Sequence, residues 1–65
     1  MHQQLSVVML MRDFYPLTGG YQNQALRLAQ EMVARNIRIS VVTHRHRTLP
    51  AHEVHKQISI HRVAA

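Results

Sequence analysis

The sequence predicts an α/β fold, a β-α-β unit of parallel strands followed by a third strand. Three observations carry this. Leu5-Ser-Val-Val-Met-Leu-Met11 is nearly continuous in apolar residues; Tyr21 to Arg35, just after a Gly-Gly pair, has helical periodicity; and Ile37-Arg-Ile-Ser-Val-Val-Thr43 follows as a second β-branched run. Two short strand-like runs joined by one helix fit a crossover that is almost always right-handed, with both strands parallel and adjacent.

The first strand, 5–11, is too short for a helix and ends in turn residues. It sets Val7, Met9 and Met11 on one face and Val8 and Leu10 on the other, as in a strand buried on both sides of a parallel sheet. Arg12 to Gly20, with Pro16 and the glycines at 19 and 20, is the loop that follows. In the helix, 21–35, Ala25, Leu26, Leu28, Ala29, Met32 and Val33 recur at three- and four-residue steps and form one apolar stripe facing a core. Glu31 and Arg35 are spaced for a favourable i,i+4 pair, and Asn36 suits a left-handed stop. The second strand, 37–43, is rich in β-branched residues. His44 to Lys56 is polar and basic, with Pro50 marking a loop and room for one helical turn over Ala51 to Lys56; Ile58 to Val63 alternates and reads as an edge-like third strand.

One helix covers one face of such a sheet. The other face stays bare, which marks an interface or a missing part. Residues 1–65 therefore read as a portion of a larger domain, or as a chain that needs a partner.

Hydrophobic residues make up 46% of the chain and charged ones 17%, a globular balance that excludes a disordered tail. The chain has no cysteine, so neither disulfides nor thiolate metal sites stabilise it, in keeping with a reducing compartment. The apolar run at 5–11 is too short for a membrane span or a signal peptide, and the chain reads as cytosolic, the inner face of the membrane being one place for its basic half. The formal charge is +5, and Arg45, Arg47, Lys56 and Arg62 lie after Thr43 with five of the six histidines. A patch of this kind attracts nucleic acid, anionic lipid or the phosphates of a small nucleotide.

In open parallel sheets ligands sit beyond the carboxyl ends of the strands, and the loop after the first strand is a favoured place for a phosphate. Gly19 and Gly20 there permit close backbone approach, while the free amides at the start of the helix present positive charge to an anion. The simpler use of such a pair is to turn the chain into the helix. The chain has neither G-x-G-x-x-G after the first strand nor G-x-x-x-x-G-K-[ST]. Thr43-His-Arg-His-Arg47 stands where a dinucleotide site wants an acidic residue, so at most a 2′-phosphate would suit it.

Phe14-Tyr15-Pro16 followed by Gly19-Gly20, the helix QALRLAQEMVARN, the strand IRISVVT with Arg45 after it, and the closing ISIHRV resemble the opening of family 4-type glycosyltransferases of the GT-B fold. The resemblance covers almost the whole chain from Leu5. It implies a partial Rossmann-like, incomplete N-terminal domain of an enzyme in which two such domains face each other across a cleft. It implies transfer of a sugar from a nucleotide diphosphate sugar to a hydroxyl acceptor, typically metal-independent and retaining, with no cofactor. Gly19 and Gly20 are then the positions facing the donor diphosphate. The donor would be held chiefly by a C-terminal domain with paired glutamates, so the 65 residues alone would not catalyse. Asn36-Ile37 replaces the family's usual Gly-His turn, and Tyr21 stands where a small residue is common.

Arg45 and Arg47 leave the second strand at the same edge as the glycine loop and suit an anionic acceptor, or simply a solvated loop. Arg12 either pairs with Asp13 or lines the cleft; Tyr15, with Phe14, either touches a sugar or packs the loop. His44 with His46, or His52 with His55 on a helical turn, bring two metal ligands together at most, short of the three or four that zinc needs. A reading of a different class makes His44 to Arg62 a small basic module that docks on RNA or an acidic partner. Its few aromatics, Phe14, Tyr15 and Tyr21, lie outside the basic half, so no base-stacking platform accompanies it. A third reading is a truncated or degraded copy without activity.

Overall fold

A computed structural model describes residues 4–17 and 19–64. The chain forms strand β1 (Ser6–Leu10), helix α1 (Gly20–Ala34), and strands β2 (Arg38–His44), β3 (His52–His55) and β4 (Ile58–Val63). The four strands make one mixed sheet in the order β1-β2-β4-β3, with β1, β2 and β4 parallel and β3 antiparallel to β4. The expected β-α-β unit is therefore present, with its strands adjacent and parallel.

α1 lies over β2 and β4. Beneath it Ile39, Val41, Ile58 and Ile60 are fully buried together with Ala29 of the helix and Phe14 of the β1–α1 loop. Each side chain of this size contributes roughly 1.5–3 kcal/mol on burial. Val7, Met9, Met11, Leu26, Met32 and Val33 pack around that centre. Leu28, expected in the same stripe, is exposed on the helix flank.

The helix ends as a Schellman motif. Asn36 N–H donates to the Val33 carbonyl and Ile37 N–H to the Met32 carbonyl, both at 2.9 Å, and Asn36 takes φ 63°. Met32 and Ile37 both pack on the core, the apolar contact that goes with this cap. Arg35 is already the capping residue, outside the last helical turn, and the expected Glu31–Arg35 ion pair does not form.

Two expectations are corrected between β2 and β4. His52 to His55 is a strand and not a helical turn, so successive side chains point to opposite faces. β4 consequently lies inside the sheet, between β2 and β3, and is not an edge. A two-residue turn makes this hairpin, with Lys56 at φ 50° and Gln57 at φ 69° and His55 opposite Ile58. Positive φ at both central residues is the type I′ geometry that matches strand twist.

Among the described residues no helix lies on the other face of the sheet. Across β1-β2-β4-β3 that face presents the rows Val8–Ser40–Ser59–Val54 and Leu10–Val42–His61–His52. Leu10 is 79% and Val8 62% exposed, and Val54 and Val63 are exposed as well. The bare face expected from the sequence is there. Among the described residues no helix is long and apolar enough to cross a membrane.

Candidate functional site

The carboxyl ends of the three parallel strands meet at one edge of the sheet. The chain leaving β1 stays tied to β2 there: Met11 N–H donates to the Val42 carbonyl at 3.0 Å, and the Arg12 carbonyl accepts from Thr43 Oγ1 at 2.9 Å and from His44 N–H at 3.3 Å. Thr43 is buried, and this hydroxyl bond satisfies it. Leu10, Met11, Arg12, Val42, Thr43, His44 and Val63 line an open depression of about 520 Å³ at this edge. Its floor is apolar, and Arg12 and His44, both exposed, supply its polar rim.

Gly19 and Gly20 stand at the head of α1. Asn23 N–H donates to the Gly19 carbonyl at 2.9 Å, and among the described residues no side chain caps the helix, whose first-turn amides have no intrahelical partners. The fold requires glycine at neither position. Gly19 is extended at φ 163°, no described glycine lies in the left-handed region, and a Cβ on Gly20 would meet nothing within 4 Å. A Cβ on Gly19 would meet only the end of the Gln22 side chain, whose Oε1 lies 2.5 Å from that point and can swing away. Turning the chain is therefore not what these glycines are needed for. Tyr21, one residue on, is exposed.

The remaining candidates part company. Arg12 lines the depression and forms no pair with Asp13, since the one ion pair among the described residues joins Arg62 to Glu53. Arg45 and Arg47 are exposed on the loop leaving β2, at the same edge as the glycines but outside the depression. Tyr15 is turned to packing: its ring stacks on His55, centroids 3.7 Å apart and planes at 12°, and Phe14 is in the core. The Tyr15–Pro16 peptide is cis. His52 stacks on His61 across the β3–β4 pair, on the face opposite His55. No group of three or more metal-ligating side chains is assembled among the described residues.

Sequence reasoning missed Arg62. Its side chain shares the covered face of β4 with Ile58 and Ile60 and is 4% exposed. The guanidinium donates to the Tyr15 carbonyl at 2.7 Å and the Pro50 carbonyl at 2.9 Å, and contacts Glu53 Oε1 at 2.7 Å. It thus ties the β1–α1 loop, the loop over the end of β4, and β3 to one point. A buried charge is tolerated only with such compensation. The alternation Ile58, Ile60, Arg62 was the available signal, because it sets the arginine on the apolar side of the strand. Arg62 is accordingly withdrawn from any basic docking surface, which leaves Arg45, Arg47 and Lys56 exposed.

No family model, no curated protein and no solved structure matches the chain.

Proposed function

We propose that the chain forms the donor-facing part of the N-terminal Rossmann-like domain of a GT-B glycosyltransferase, which transfers a sugar from a nucleotide diphosphate sugar to a hydroxyl acceptor. The observation that carries the reading is the pair Gly19-Gly20 beyond β1, at a helix start that no described side chain caps, where neither backbone angle nor packing calls for glycine. Backbone without side chains, with free amides and the positive end of the helix dipole, is suited to the diphosphate of a donor. The sequence resemblance and the parallel β1-α1-β2 arrangement support the same reading. The chemistry needs a second domain to close over both substrates, so this chain alone contributes an anion contact and no turnover.

The test is an NMR titration of the 15N-labelled chain with uridine and guanosine diphosphates, beside a transfer assay. The expected outcome is millimolar binding with shifts centred on the amides of Gly19, Gly20 and Tyr21, and no sugar transfer. Gly20→Asp puts a carboxylate into open space at the helix start, where it steadies the helix by about 0.3–1 kcal/mol yet repels a diphosphate. Loss of binding in that folded variant supports the reading. Unchanged binding, shifts confined to other regions, or turnover by the chain alone contradicts it.

A further inference from the structure

The bare face of the sheet has a charge pattern as well as an apolar one, and together they point to a kind of partner. Its apolar side chains are Val8, Leu10, Val42, Val54 and Val63, interrupted at the centre by Ser40 and Ser59, whose small size lets another backbone come close. The apolar depression at the carboxyl edge lies among Leu10, Val42 and Val63. None of the three side-chain carboxylates is on this face: Asp13 is in the β1–α1 loop, Glu31 is on α1, and Glu53 faces the covered side against Arg62. What it does carry is Arg38 at the amino end of β2, while Arg12, Arg45 and Arg47 stand exposed at the carboxyl edge.

We infer that this face docks a separate amphipathic helix whose apolar stripe is flanked by aspartates or glutamates. The inference is independent of sugar transfer. The seven residues of β2 extend about 23 Å, the length of roughly 15 helical residues, so about four turns along the strands would cover the face. Carboxylates on the flanks of that helix would reach Arg38 at one end and the cationic carboxyl edge at the other. A second copy of the chain fits less well, because each copy brings a formal charge of +5 and no side-chain carboxylate to the contact.

The experiment titrates the methyl-labelled chain with two designed helical peptides that share one leucine stripe, one with glutamates and one with lysines on its flanks. The expected result is shifts at Val8, Leu10, Val42, Val54 and Val63 with the glutamate peptide, at least tenfold weaker binding of the lysine peptide, and weaker binding of the glutamate peptide as salt rises. Leu10→Asp and, separately, Val54→Asp, both at exposed positions, are expected to lose at least tenfold in affinity while melting like the parent. Equal binding of the two peptides, shifts on the helix side, or sedimentation of the free chain as a dimer that buries these methyls would overturn the inference.

Discussion

The two faces of the sheet are made by the same strands and differ in what lies over them. On one, Ile39, Val41, Ile58 and Ile60 are sealed under α1 and Phe14; on the other, Val8 and Leu10 stand in solvent one residue away from Val7 and Met9, which pack on the core. The alternation of a strand supplies both surfaces at once, so apolar content does not tell which side holds the fold together. The difference lies in the helix. The covered side carries the folding energy, and the bare side leaves its apolar surface in solvent.

The largest effect expected from disturbing this contrast is at Arg62. Arg62→Ala strips the Tyr15 and Pro50 carbonyls of their donor and leaves Glu53 unpaired, a loss of about 3–5 kcal/mol. For a chain of this size that is most or all of the stability, so the variant should show an unfolded circular-dichroism spectrum at room temperature. A native spectrum with an unchanged melt would mean that the buried cation does not hold the loops. Ile60→Ala, in the middle of the covered face, should cost about 2–5 kcal/mol in a urea melt. Its counterpart Leu10→Ala on the bare face should stay within about 0.5 kcal/mol; equal losses at the two positions would erase the distinction. Between these lies the hairpin. Gln57→Gly replaces a side chain held at φ 69° by the residue that accepts that angle most easily, and should raise the urea midpoint by a stability gain of about 0.5–1 kcal/mol.

The parts legible in the sequence were those whose signal is local. The β1 run, the α1 periodicity, the β-branched β2 and the alternating β4 lie within a residue or so of where they were expected, and Asn36 was recognisable as a left-handed stop. β3 was hidden because His52-Glu-Val-His55 is polar enough to read as loop, and because its turn uses Lys56-Gln57 where Asn-Gly would have announced a hairpin. With β3 missed, β4 read as an edge. At the site, the position of the glycine loop followed from strand order alone. The withdrawal of Tyr15 to His55 did not, and the alternation Ile58, Ile60, Arg62 sets Arg62 on the covered face without naming its partners, one of which lies 47 positions away.

The most direct measurement is carbene footprinting of the chain at a concentration where sedimentation shows a monomer, with labelling read residue by residue. The account predicts heavy modification of Val8, Leu10, Val54 and Val63 and almost none of Ile39, Val41, Ile58 and Ile60. Protection of Val8 and Leu10 to the level of Ile39 would contradict it.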